Sequence, residues 1–220
     1  MERIPIEAGC DYHAYNRGTE KRDIFTSIAD YFKFIHYLYI ANDSRPFHLK
    51  DAESEDFRET DRDPVVEILA FVLMRNHFHI SVRPLIDTGM AKFMQKLLTG
   101  YTMYFNKKYS RSGALFQGRY KCKALSDAQY LPILVRYIHL NPVASFIDQD
   151  GRTKSKDEIR DFLLNYRWSS LPDYVGLKNF PSIISRGPVD ELFKTPADHM
   201  DFLLENVAPE EIIPQDLAID

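Results

Sequence analysis

The sequence predicts an α+β protein: an antiparallel sheet with helices on one face, followed by a helical and loop elaboration toward the C-terminus. Three observations lead there. Strand-like and helix-like segments follow one another over residues 11–140 in the order strand, helix, strand, strand, helix, strand, helix. Two of the strands are separated only by Arg75-Asn76, which suits a tight antiparallel connection and no crossover. Hydrophobic residues make up 45% of the 220, enough for one sizeable core or one core with an appendage.

Asp11 to Gly18 (DYHAYNRG) reads as a strand running into a turn. Asp23 to Ile40 reads as an amphipathic helix, with Ile24, Ile28, Tyr31, Phe32, Ile35, Leu38 and Tyr39 on its apolar side. Residues 41–64 are polar and acidic and read as a loop or insertion. Val65 to Met74 is a buried strand rich in β-branched residues, and His77 to Arg83 returns beside it. Gly89 to Tyr109 is a second long helix, broken by Ser112-Gly113. Arg119 to Leu125 reads as a short strand. Ser126 is the expected N-cap of a third helix that runs to about Leu140 and is closed by Pro142. The first six elements form a split βαβ, ferredoxin-like arrangement. Residues 145–220 carry weaker signals: Tyr166-Arg167-Trp168-Ser169-Ser170, then short helical stretches near 188–194 and 196–206.

Composition sets outer bounds. There is no apolar run long enough to span a bilayer, so no membrane role is expected. Met1 to Glu7 does not read as a signal peptide. Cys10 and Cys122 make no disulfide framework, and a reduced cytoplasmic setting is the simplest expectation. The net charge of −4 hides an asymmetry: residues 91–140 hold nine Lys and Arg against Asp127 alone. That segment is therefore +8 and the remainder −12. Its cations interleave with Tyr101, Tyr104, Phe105, Tyr109, Phe116 and Tyr120, which is charge for phosphates and rings for bases. A solvated helix face over core aromatics explains the same pattern equally well.

Two short strings carry chemistry. In Asn76-His77-Phe78-His79 the histidines lie two apart on a strand and so point the same way, able to grip one divalent metal. In Arg136-Tyr137-Ile138-His139-Leu140-Asn141-Pro142 the tyrosine and asparagine lie four apart and share a helix face. Such a helix can bring a phenol nucleophile and a third, oxygen-donating ligand to the same metal, and the chemistry this suits is attack of tyrosine on a phosphodiester. Each residue also has a plainer reading. Tyr137 alone is more often a core residue, and Asn141 before a proline can simply end its helix. His139 should face elsewhere than Tyr137. His13 and His36 read as structural. Asn16 and Arg17 fit a turn stabilised with Gly18 as well as they fit DNA contact. Arg119, Lys121 and Lys123 alternate along a strand, as a phosphate-facing stripe or an ordinary exposed face. Trp168 reads as core rather than as a base-stacking platform.

With these strings in view the sequence resembles the single-tyrosine transposases of the HUH endonuclease superfamily, and among them the REP-associated, IS200-like branch. The matching strings are Tyr12 to Gly18, Phe71 to Val82, Gly113 to Lys123, Tyr130 to Ala144 and Tyr166 to Ser170, in the family's order over roughly residues 10–175. The resemblance implies that His77, His79 and Asn141 bind Mg²⁺ or Mn²⁺ and that Tyr137 is the nucleophile. It implies cleavage of single-stranded DNA beside a hairpin, at a REP-like sequence or an element end, through a 5′-phosphotyrosine link. Lys107, Lys108, Arg119, Lys121, Lys123 and Arg17 are the expected DNA contacts. The expected organisation is a catalytic domain over residues 1–150, with the acidic insertion at about 41–64, and an extension over 151–220 packed on it. A cytoplasmic, nucleoid-associated protein is implied, with a site built by one chain or shared in a homodimer. The family usually has proline before the Asn-His of the turn; Arg75 stands there, so the turn is expected to be less rigid. The main alternative is a domesticated, non-cutting DNA- or RNA-hairpin-binding protein on the same fold, which the intact His77, His79, Tyr137 and Asn141 set disfavours. A further alternative is a phosphodiesterase in which water, not Tyr137, attacks.

Overall fold

Val66–Met74 forms strand β2 and turns through Arg75-Asn76 into β3, His77–Pro84. In the computed structural model, which describes residues 5–46, 62–147 and 154–205, β3 pairs on its other side with β1, Tyr12–Arg17. The fourth strand, β4 (Lys121–Ala124), joins the outer side of β1. The order β2-β3-β1-β4, antiparallel throughout, is the expected ferredoxin-like sheet. Helices α1 (Ile28–Ile40) and α2 (Gly89–Lys108) cover one face. There Phe78 meets Phe34 at 5.1 Å between ring centroids, and the Tyr101 hydroxyl donates to the Ile24 carbonyl at 2.5 Å. The two helices approach closely at Gly100, where a Cβ would lie 2.5 Å from the Tyr37 ring.

The other face is covered over β2 and β3 by α3, Leu131–Ile147. Among the described residues four further helices follow: α4 (Lys156–Asn165), α5 (Leu171–Tyr174), α6 (Gly187–Asp190) and α7 (Pro196–Leu204). Leu140 and Val143 of α3 pack with Ile159, Leu163, Leu171, Met200, Leu203 and Leu204 in a second apolar cluster. The expected stretches near 188–194 and 196–206 are thus short helices, while α4 was not anticipated. Its signal was present: Ser155 and Glu158 form a capping box, with Glu158 N–H donating to Ser155 Oγ and Ser155 N–H to Glu158 Oε2. Among the described residues no helix is long and apolar enough to cross a membrane.

Several boundaries differ from expectation for local reasons. Helix α1 begins at Ile28, not Asp23, because Asp30 Oδ2 accepts the N–H groups of Thr26 and Ser27 at 2.9 Å and stops the helix there. The shift leaves Ile28 and Phe32 of the expected apolar side 67% and 41% exposed, while Phe34, Ile35, Tyr37 and Leu38 are buried. Helix α3 does not end at Leu140. It runs through Pro142, whose missing N–H costs one helical bond, because Pro142 and Val143 are buried and Val143 packs into the second cluster. Ser126 is not its cap; Asp127 Oδ1 accepts Gln129 N–H at 3.0 Å at the start of a 3₁₀ turn, Ala128–Tyr130. Strand β4 is shorter than expected and leaves Arg119 ahead of it. Most of the acidic 41–64 stretch, residues 47–61, lies outside the described residues.

Arg75 ties its turn to the segment ahead of α1. Its carbonyl accepts the N–H groups of Ile24 and Phe25, and its guanidinium pairs with Asp23 at 2.7 Å. Asn76 receives Gly18 N–H on its carbonyl and donates its amide to the Lys21 carbonyl. The Tyr166–Ser170 string straps the outer edge of β2: Leu73 N–H donates to the Trp168 carbonyl and Phe71 N–H to Ser170 Oγ. Trp168 stacks on Tyr31 at 4.5 Å, a packing role.

Asp30 is the most heavily bonded carboxylate of the core. It is buried and also accepts from Tyr104, Lys108 and Tyr109. Burial alone would raise its carboxyl; the hydrogen bonds from Lys108, Tyr109 and Thr26 overcome that and hold it at about 2. A depressed carboxyl contributes stability above its unfolded value near 4 and loses it as pH falls toward 2. Asp30→Ala is expected to lower stability by about 3 kcal/mol in urea titration at pH 7, and to flatten the dependence between pH 4 and 2.

Candidate active site

The odd-numbered residues of β1 and β3 and the lysines of β4 share the sheet face turned toward α3. The pairing sets them in rows: Arg17 opposite His77, then Lys121, Tyr15 and His79, then Lys123, His13 and Ser81. His77 is half-buried at the mouth and His79 is wholly buried, with ring centroids 5.2 Å apart. Lys121 and Lys123 are exposed, and the Lys121 ammonium stands 5.9 Å over the Tyr15 ring.

Helix α3 brings Tyr137 and Asn141 to this face on successive turns. The Tyr137 ring meets His79 edge-on at 5.1 Å and His13 at 5.5 Å. The Asn141 amide lies between the histidines, Oδ1 3.2 Å from His77 Nε2 and Nδ2 3.4 Å from His79 Nε2. His77 Nδ1 contacts Asn76 Oδ1 at 2.6 Å, and His79 Nδ1 contacts His13 Nε2 at 2.8 Å. Both imidazoles therefore turn their Nε2 atoms inward and anchor their Nδ1 atoms outward. His139 faces away, as its position implied, and shares a proton with Ser170 Oγ at 2.9 Å.

Burial dominates the electrostatics. His13 is pushed down to about 3 by burial and by the charge of Lys123. His77 is pushed down to about 4 by burial, opposed by the Asn141 hydrogen bond and assisted by Arg17. Burial, with His13 and His77 adding, carries His79 well below the usual histidine range. These rings are neutral at pH 7, the state a metal ligand requires. Burial also raises the Tyr137 phenol above its usual range, with the Asn141 side chain offsetting part of the rise.

The donor chemistry fits a cation. Neutral His77 carries one ring proton, yet both its nitrogens face amide oxygens, Asn76 Oδ1 and Asn141 Oδ1. With the proton on Nδ1, His77 Nε2 and Asn141 Oδ1 present two lone pairs to each other. A positive ion between such atoms removes that conflict. Among the described residues no cluster of three His, Cys, Asp or Glu side chains is arranged to hold a metal; the third polar group beside His77 and His79 is the Asn141 amide.

The basic segment does not form one face. Lys107 and Lys108 lie on α2, behind the sheet from the histidines, and the Lys108 ammonium pairs with Asp30 at 2.6 Å. Arg136 donates to the carbonyls of Leu203 and Glu205 at the end of α7. Arg17, Lys121 and Lys123 are on the site face, and Arg119 leads into β4. His13 and Tyr15 were not among the expected site residues. Their alternation with Arg17 along β1 was the available signal, but only the pairing with β3 gives it meaning.

A split βαβ sheet presenting an H-x-H strand to a tyrosine-bearing helix defines the class of single-tyrosine HUH proteins that the sequence resembled. The solved structure of a REP-associated tyrosine transposase bound to a REP hairpin shares the fold. It has a TM-score of 0.52, covers 84% of this chain and 90% of that one, and is 16% identical in sequence. Residues 9–141 match the IS200-like transposase family model, and the chain belongs to that family. No curated protein matches the chain.

The depressed histidines give a pH dependence to the metal-free fold. A histidine whose folded value lies below its unfolded value near 6.5 favours folding above 6.5 and opposes it as pH falls. With His77 at about 4 and His13 at about 3, stability should fall by about 1–2 kcal/mol per histidine between pH 6.5 and 5. Urea midpoints across that range check this; a flat profile would contradict the burial.

Proposed function

We propose that the chain is a single-tyrosine, metal-dependent nickase and strand transferase acting on single-stranded DNA beside a hairpin. The observation that carries the reading is the convergence of His77 Nε2, His79 Nε2 and the Asn141 amide beneath the Tyr137 ring. Two neutral imidazoles and an amide leave a bound ion its full charge, and oxygen-seeking Mg²⁺ or Mn²⁺ suits a phosphate substrate. Bound there, the ion would polarise the scissile phosphate and stabilise charge developing on its oxygens.

The chain's own residues supply the rest. Tyr137 is carried on α3, with its ring 5.1 Å from that of His79. Its oxygen attacks phosphorus as the phenolic proton passes to solvent, the bond from phosphorus to the 3′ oxygen breaks, and that oxygen takes a proton from water and leaves as a 3′-hydroxyl. The product is a 5′-phosphotyrosine, and the reverse attack by a 3′-hydroxyl rejoins strands with no external energy source. The phenol starts protonated, because burial raises it. Asn141 lies beside it and can orient it.

Arg17, Arg119, Lys121 and Lys123 offer phosphate contacts at the open β4 side of the site. The transposase of similar fold holds a REP hairpin, which favours a hairpin-bearing strand as the partner here.

Tyr137→Phe removes one oxygen. With Mn²⁺ and hairpin-flanked single strands it should leave binding nearly unchanged and abolish both cleavage and the covalent adduct seen by mass. Chelating the metal should abolish cleavage by the unaltered protein. Cleavage retained by Tyr137→Phe would mean that water or another tyrosine attacks. Hairpin binding should also weaken steeply from 50 to 200 mM salt. Arg119→Glu with Lys121→Glu should weaken it about tenfold or more, whereas Lys107→Glu, behind the sheet, should change it little. Binding indifferent to salt and to the paired reversal would overturn the β4-side assignment.

A further inference from the structure

We propose that His13 is a positioning residue: it accepts the Nδ1 proton of His79 and so fixes the tautomer in which His79 turns an unprotonated Nε2 toward His77 and Asn141. The inference rests on the metal site proposed above and concerns a residue outside its ligand set.

His13 and His79 are 1% and 0% exposed, and their facing nitrogens, His13 Nε2 and His79 Nδ1, are 2.8 Å apart. At that distance between two neutral rings one proton is shared, and either ring can own it. Ligation decides between the two: a His79 that offers its Nε2 lone pair to an ion carries its one proton on Nδ1, facing His13 Nε2, and the Asn141 contact agrees with this. His79 Nε2 lies 3.4 Å from Asn141 Nδ2, an amide donor. If His79 carried its proton on Nε2, donor would face donor there. With the proton on Nδ1, the Asn141 amide donates to Nε2 and His79 donates to His13. The whole chain of contacts then runs in one direction, from Asn141 through His79 to His13.

The direction has a consequence at the far end. His13 must accept on Nε2, so its own proton sits on Nδ1, and His13 Nδ1 is buried without a hydrogen-bond partner. A buried unpartnered N–H costs about 1–3 kcal/mol. His77 needs no such device, because its Nδ1 proton goes to Asn76 Oδ1 at 2.6 Å. The inner histidine uses a second imidazole instead. Stacking fixes the geometry: the His13 ring lies 5.0 Å from His79 at an interplanar angle of 18° and is bracketed by Tyr15 at 4.9 Å and Tyr137 at 5.5 Å. Outer groups that orient ligating histidines in this way typically change metal affinity 10–100-fold.

Two readouts test this. In the metal-free, ¹⁵N-histidine-labelled protein, two-bond proton–nitrogen correlations should show His79 as the Nδ1–H tautomer; an Nε2–H tautomer would overturn the proposal. This result does not depend on metal, so it decides the role of His13 even if Mn²⁺ fails to bind, an outcome that would count against the metal site itself. Where Mn²⁺ binds, His13→Phe keeps a ring of similar size but offers no acceptor, and calorimetry should show affinity about 10–100-fold weaker. His13→Gln keeps an acceptor oxygen and should recover most of that loss. A His13→Phe protein that binds Mn²⁺ like the unaltered one, or a His13→Gln protein as weak as His13→Phe, would contradict it. Thermal unfolding of each variant checks that the fold is kept; should His13→Phe not fold, the tautomer of His79 in the unaltered protein still decides.

Discussion

The pairing of β1 with β3 is the constraint on which the rest of the site depends. It sets Tyr15 beside His79 and Arg17 beside His77, and it places His13 on the same face. Side chains alternate along a strand, so a slip of one residue would turn His13, Tyr15 and Arg17 toward α1 and α2 and bring Ala14 and Asn16 to the histidines. Both ends of the pairing are pinned. At one end Gly18 N–H donates to the Asn76 carbonyl, and Asn76 donates to Lys21. At the other, Arg83 of β3 forms a two-point ion pair with Asp11, at 2.8 and 3.0 Å. Those two clamps favour the observed register.

The sheet separates two environments. Phe78, Ile80 and Val82 face α1 and α2 and belong to an ordinary apolar core. The residues between them face α3 and form a buried polar layer. Burying imidazoles without counter-charges costs desolvation, and the protein meets that cost by keeping them neutral and bonding them to one another and to amides. The same burial that makes the histidines good neutral ligands keeps the Tyr137 phenol protonated in the free protein. One physical cause therefore sets both sides of the site.

Helix α3 links this layer to the C-terminal elements. Leu134, Val135 and Ile138 pack in the main core, whereas Leu140 and Val143 pack with α4, α5 and α7. Tyr137 and Asn141 sit where the helix passes from one cluster to the other. Residues far from the site thereby hold Asn141: His139 bonds Ser170, and Arg136 caps α7 through the carbonyls of Leu203 and Glu205. Among the described residues, the elaboration after residue 154 brings no side chain to the histidines, yet it packs against the helix that carries Tyr137 and Asn141.

The element order, the tight Arg75-Asn76 turn and the two chemistry-bearing strings were legible from residues alone, because strand alternation and helical spacing are local properties. So was the common facing of His77 with His79 and of Tyr137 with Asn141. The charge count was legible too, but not its geometry: Lys108 answers the buried Asp30, and Lys107 lies behind the sheet, so a +8 segment yields only a stripe at β4. Pro142 marked a helix end by local rule, and packing of Val143 overrode it. His13 showed no partner in the sequence because its partner lies 66 residues away on another strand. Which side chains share a face follows from backbone period. Which strands lie side by side, and in what register, follows from long-range pairing, and that alone brought His13 to His79.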